Sequence, residues 1–135
     1  MEVLVAVTIA GIMFLTLYAG FSSGFAVIQL ARENLRATQI LQEKMETIRL
    51  YNWSQVTNQS YIPTGFVENF YPGTQSTSGI RYTGTLKIAV APISESYSNN
   101  LRLVNVKVQW VSGKALRQRE MNTWVAQYGL QNYIY

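Results

Sequence analysis

The sequence predicts an α+β fold in which a long N-terminal hydrophobic α-helix packs on a small antiparallel β-sheet head. No residue from Val3 to Ala31 is charged, and a run of this length can cross the hydrocarbon core of a bilayer as a helix. The chain from there to about Tyr51 contains strong helix formers and neither Gly nor Pro, so the helix is expected to continue. Beyond it, two segments alternate apolar and polar residues, as half-buried strands do.

The predicted helix covers residues 1–52. Residues 2–25 are its hydrophobic part, and a secretory signal peptide is not expected because such peptides carry basic residues ahead of a shorter apolar stretch. Residues 27–52 are amphipathic, because apolar side chains recur there at spacings of three, four or their sums. A helix of some fifty residues is roughly 75 Å long, more than so small a head can cover, so something else must bury its first half. The predicted apolar stripe is Val27, Ala31, Leu41, Met45 and Ile48, and the polar stripe is Arg32, Arg36, Gln39 and Glu43.

The β-rich head is predicted over residues 53–135, with a connecting loop over residues 54–79 that holds a short strand between Tyr61 and Phe70. Ser112-Gly113 predicts a tight turn between the second alternating segment and the segment that follows, to Tyr128. The register of that last segment stays open, since its apolar residues fall on both parities. The side chains expected to face the core are Tyr82, Leu86, Ile88 and Val90 in the first alternating segment and Val104, Val106, Val108 and Trp110 in the second.

Composition argues against catalysis and against bound cofactors. The 135 residues include no Cys and no His, so the commonest nucleophiles, general bases and zinc ligands are absent. All seven acidic residues are Glu, and no Asp-rich loop suits calcium. The 11 basic residues give a net charge of +4 but form no run, which argues against a nucleic-acid partner. We therefore expect no enzyme, no metal site and no cofactor.

The N-terminal stretch Glu2-Val3-Leu4-Val5-Ala6-Val7 through Gly11, an acid followed by an unbroken apolar helix, resembles the mature N-terminus of the type IV pilin superfamily, which includes type II secretion pseudopilins. More loosely, residues 39–53 and the sheet with Trp110 and Trp124 are similar to its minor pseudopilin and pilus-modification branch. The resemblance implies a structural subunit of a helical filament, in which Glu2 sets the register by pairing with the N-terminal amine of a neighbouring subunit. The other side chains expected at this assembly surface are Val3, Leu4, Val7, Gly11 and Phe14.

The resemblance also implies partners and a location. The partners are further copies of the chain or other pilins, the inner-membrane assembly machinery, prepilin peptidase and, before assembly, the membrane. The precursor is expected to span the bacterial inner membrane once and to end in an extracellular or periplasmic filament, of the kind that serves adhesion, motility or protein secretion. Two alternatives stay open. In the first, the chain would be a minor pilin or a type II secretion pseudopilin. In the second, it would be a membrane-tethered binding module that does not polymerise.

The sequence departs from the family pattern in two ways. Pilins carry the acid at the fifth mature position, whereas only Met1 precedes Glu2, so about three residues and a basic leader are expected to be missing. If Met1 were the true start, peptidase processing and the methylated amine would both come into question. Many pilins also have a Pro near the position of Ala19. Here Gly20 and Gly24 offer a similar weak point, since each Gly costs a helix about 1 kcal/mol, or else they simply allow close helix packing.

Overall fold

The computed structural model describes residues 1–58, 60–73 and 79–129, and the rest of the predicted loop and head lies outside the described residues. The chain has the α+β class expected from its sequence: a long N-terminal helix is followed by a four-stranded antiparallel sheet. A 3₁₀ turn, Ser98–Asn100, leads into the third strand. The elements are α1 (Glu2–Arg49), α2 (Trp53–Thr57), β1 (Gly65–Asn69), β2 (Arg81–Val90), β3 (Leu101–Ser112) and β4 (Ala115–Ala126).

The chain divides into two compact units, residues 1–34 and residues 35–135. Helix α1 contributes to both. The first unit is helix alone, and the second combines the last part of α1 with α2 and the whole sheet. The part of α1 from Leu35 to Arg49 therefore belongs to the second unit, called the head from here on, where its apolar side chains supply one side of the core.

The sheet has the order β1-β2-β3-β4, and each strand pairs antiparallel with the next. The tight turn predicted at Ser112-Gly113 is confirmed and joins a hairpin: Ser112 at the end of β3 pairs with Ala115 at the start of β4. Gly113 and Lys114 form its two-residue loop, in which Gly113 has φ 60°. A residue with positive φ is favoured at this place because it matches the twist of the two strands.

The core of the head lies between one face of the sheet and the helix. The alternation predicted for β3 is confirmed, since its four inward side chains are at most 2% exposed. Tyr82 of β2 packs against Trp110, with ring centroids 5.5 Å apart. In β4 the structure resolves the open register: Met121, Thr123 and Val125 share the parity of the core face. The buried core comprises Ala37, Ile40, Leu41, Met45, Ile48, Val56, Ile62, Tyr82, Leu86, Val104, Val106, Val108, Trp110 and Val125.

Two expectations about buried side chains are wrong. Val27 is 66% exposed and Ala31 is also exposed, because both precede the part of α1 that packs into the head. Val90 is 48% exposed, since β1 pairs with β2 only between Arg81 and Thr85 and leaves the end of β2 without a neighbouring strand on that side. The spacing argument identified the correct helix but extended its buried stripe too far toward the N-terminus.

The helix ends at Arg49, close to the predicted end, and a second helix follows that the sequence analysis assigned to the loop. Asn52 caps α2 by accepting a hydrogen bond from the Gln55 backbone N–H at 3.0 Å, and the Gln55 side chain accepts one from the Asn52 N–H at 3.0 Å. This reciprocal capping box starts a new helix. The predicted short strand is confirmed as β1.

Candidate assembly surface

The first part of α1 is apolar and uncovered within the chain. Every residue from 1 to 29 is exposed, including Leu4 at 72% and Phe14 at 75%. The helix is long and apolar enough to cross a membrane, and none of its most apolar window is buried. This arrangement is compatible with a single-pass membrane anchor. A surface of this kind is unstable in water and needs either lipid or other apolar helices around it.

The apolar residues predicted for assembly share one side of the helix. At about 100° per residue, Val3, Leu4, Val7, Gly11 and Phe14 fall within a sector about 100° wide. The rest of the circumference is apolar as well, because other large hydrophobic side chains project from it, and each of them is more than half exposed. They include Val5, Ile9, Ile12, Met13 and Leu17. A helix that is apolar on all sides suits a position with neighbours on every side.

Glu2 is the one charged side chain of this segment, and it lies in the first turn of α1. The positive end of the helix dipole favours a carboxylate there. Glu2 is exposed, and it has no hydrogen bond or ion pair with any part of the chain that the structure describes. On the helix it lies about 100° outside the predicted sector and about 150° from its centre, so it projects from another side of the helix. The carboxylate is therefore available to a group from outside the chain.

Two threonines in this part of α1 direct their hydroxyls to the helix backbone, a feature that the sequence analysis missed. The Thr8 hydroxyl donates to the Leu4 carbonyl at 2.8 Å, and the Thr16 hydroxyl donates to the Met13 carbonyl at 2.9 Å. Bonding of this kind is the usual behaviour of hydroxyl residues inside helices. It lets both threonines enter an apolar environment without an unsatisfied polar group.

The two glycines named as a possible weak point lie inside an unbroken helix. Residues 2–49 are helical throughout, so the backbone is not interrupted at Gly20 or Gly24. A Cβ added at either position, or at Gly11, would meet nothing within 4 Å. The two glycines are four residues apart and so share a face, which gives a neighbouring helix room to approach closely.

Within the described residues, no group of three or more His, Cys, Asp or Glu side chains could hold a metal ion. Two contacts of charged side chains lie in the head. The Lys44 ammonium pairs with the Glu68 carboxylate at 2.7 Å, and Arg36 donates to the Asn69 carbonyl at 3.4 Å. These contacts join α1 to β1.

Comparison with protein-family models, with curated proteins and with solved structures finds no match to this chain.

Proposed function

We propose that this chain is a structural subunit of a type IV pilus-like filament, assembled from the bacterial inner membrane. The observation that carries the proposal is the first part of α1: an uncharged helical run, exposed on all sides, with one unpaired carboxylate at its start. A simple anchor has no need of an acid at its end. A filament core needs an apolar helix to fill it and a polar contact to align it.

Glu2 aligns the subunits in this proposal. A carboxylate without a partner in a hydrocarbon environment costs several kcal/mol, and the cost is largely recovered only where a cation meets it. The N-terminal amine of a neighbouring subunit is such a cation, and it meets Glu2 in one axial register only. Burial of side chains such as Leu4 and Phe14 provides the attraction, which is about 1.5–3 kcal/mol per large side chain moved from water and less from lipid.

The head, residues 35–135, has its own core and gives the filament its outer surface in this proposal. The same design suits a minor pilin or a secretion pseudopilin. The competing candidate is a tethered module that does not polymerise, and the self-contained head is the observation in its favour. The two candidates differ in what they require of Glu2: a filament subunit needs the carboxylate for assembly, and a tethered module does not.

Replacement of Glu2 by Ala tests the proposal, with Glu43→Ala as the matched control because Glu43 is an exposed carboxylate on the same helix. Both variants are expected in the membrane fraction at wild-type amounts. Filaments sheared from the cell surface should be lost in Glu2→Ala and retained in Glu43→Ala. Wild-type amounts of filament from Glu2→Ala would rule out the alignment role. A wild-type chain that stays in the membrane without any filament would favour the tethered module.

A further inference from the structure

The face of the sheet turned away from the core, here called the outer face, carries an ordered set of polar and aromatic side chains. It is formed by odd-numbered residues of β2 and β3 and even-numbered residues of β4, which the pairing places side by side in rows. Two adjacent rows matter here. One row is Ala89, Leu103 and Trp124, and the next is Lys87, Asn105 and Asn122.

Trp124 is the large aromatic of the outer face and is 52% exposed. Its parity is opposite to that of Val125, which is 3% exposed in the core, so the core does not account for its presence. Leu103 and Ala89 continue the row across the sheet as a low apolar floor. An indole ring on a flat strand surface offers a platform on which a flat, partly apolar ring can stack.

Amide side chains next to this platform are held in place by each other. The Asn105 amide nitrogen donates to the Asn122 carbonyl oxygen at 2.6 Å, and two rows further along Gln109 donates to Gln118 at 3.3 Å. An amide has two N–H donors and an oxygen with two lone pairs. Each pair therefore keeps several donors and acceptors free while its geometry is fixed. Fixed amides lose little entropy when they bind hydroxyl groups.

The charges of the outer face are mostly positive. The outer face carries three cations, Arg81, Lys87 and Lys107, and one carboxylate, Glu120. Glu120 is the cross-strand partner of Lys107. Lys87 has no ion pair within the described part of the chain. It lies two strands and one row from Trp124, a separation of about 12 Å from strand geometry. A ligand that stacks on Trp124 and carries negative charge farther along would reach this ammonium group.

We propose that the outer face binds an acidic oligosaccharide. One sugar ring stacks on Trp124, the hydroxyls of the chain exchange hydrogen bonds with Asn122 and Asn105, and a carboxylate or sulfate pairs with Lys87. Uncharged hydrogen-bonding groups outnumber the cations on this face, which favours a hydroxyl-rich polymer over the phosphate backbone of a nucleic acid. The inference goes beyond the proposed filament function and does not depend on it, since a single chain carries the whole site.

The test uses the full chain in detergent micelles and an array of acidic and neutral oligosaccharides. The chain is then titrated with a galacturonic acid hexamer or with the acidic oligosaccharide that binds most strongly on the array. A parallel titration uses the uncharged methyl ester of the same oligosaccharide. Saturable binding to acidic oligosaccharides is expected. Trp124→Ala should weaken this binding about tenfold. Asn122→Ala should also weaken it, and this second variant keeps the test valid if Trp124→Ala folds poorly. Lys87→Gln should weaken binding of the acidic form about threefold at low salt and leave binding of the methyl ester unchanged.

The matched control is Leu116→Ala, because Leu116 is a 69% exposed apolar residue on the same strand and face but eight residues from Trp124. Its binding should equal that of the wild type. The proposal is overturned if no acidic oligosaccharide binds, or if Trp124→Ala and Asn122→Ala both bind like Leu116→Ala. It is also overturned if single-stranded oligothymidylate of equal charge binds more tightly than the oligosaccharide and loses affinity in Trp124→Ala, because the face would then recognise nucleic acid.

Discussion

Gly84 lies under an aromatic ring, and replacing it by Ala should destabilise the head. Gly84 of β2 is buried and pairs directly with Phe66 of β1. A Cβ added at Gly84 would lie 2.5 Å from Phe66 Cε1 and closer still to two other atoms of the ring. The Lys44 ammonium also lies over the Phe66 ring, 4.8 Å from the ring centroid. The ring must therefore move, and this cation–π contact would be lost with it.

The expected loss follows from three contributions. Overpacking of a well-packed site costs about 1–3 kcal/mol. The displaced cation–π contact is worth about 0.5–1 kcal/mol at a partly exposed site. Ala regains about 0.5–1 kcal/mol because it has less backbone freedom to lose than Gly. The net loss is about 1–3 kcal/mol, which for a unit of roughly 100 residues lowers Tm by about 4–20 °C.

The measurement is chemical denaturation of the full chain in detergent, followed by tryptophan fluorescence. Gly65→Ala is the matched control, since Gly65 is the other glycine of the same strand pair and its added Cβ would be 3.9 Å from the nearest atom, the Gly84 carbonyl oxygen. That variant should stay within about 0.5 kcal/mol of the wild type. In a Phe66→Ala background Gly84→Ala should no longer destabilise the head, and it should instead stabilise it by the remaining backbone gain of about 0.5–1 kcal/mol. Equal stability of the two glycine variants, or an unchanged cost without the ring, would refute the reasoning.

Two further predictions use the same denaturation assay. Trp110→Ala should lower the free energy of unfolding by about 3–5 kcal/mol because its 2% exposed ring fills the core against Tyr82. Trp124→Ala should change it by less than about 0.5 kcal/mol because that ring is half exposed. Similar losses in both variants would contradict the assignment of the two rings to opposite faces. Asn52→Ala should cost about 1 kcal/mol because it removes the cap of α2 and half of the capping box with Gln55. The control is Gln42→Ala, at an exposed polar residue of α1, and equal losses in the two variants would show that the cap does not stabilise the head.

The parts of the fold that follow from short-range patterns could be predicted. The strict alternation from Val104 to Trp110 fixed the buried face of β3, because the side-chain period of a strand is two and one face is covered. The absence of Gly and Pro after Ala31 correctly indicated a continuous helix. In β4 the alternation is weak, with Val125 inside and Trp124 outside, so pairing with β3 was needed to settle its register.

Other features depended on tertiary structure. Helical spacing alone cannot show where along a long helix the head begins, and so the stripe was extended to Val27 while the buried Ala37 and Ile40 were missed. The short helix α2 was assigned to the loop, although Asn52 and Gln55 form a recognisable capping pattern. Within the candidate assembly surface, the sequence predicted the apolar run and the isolated Glu2. The internal hydrogen bonds of Thr8 and Thr16 required coordinates.

The proposed filament function is tested most directly by helical cryo-EM reconstruction of fibres sheared from cells that make this chain. The proposal predicts that side-chain density in the fibre core fits MEVLVAVTIAGIMF in every subunit and that an amine of a neighbouring subunit faces Glu2. Fibres whose core density fits another chain throughout, or a chain found only in the membrane while no fibre forms, would contradict it.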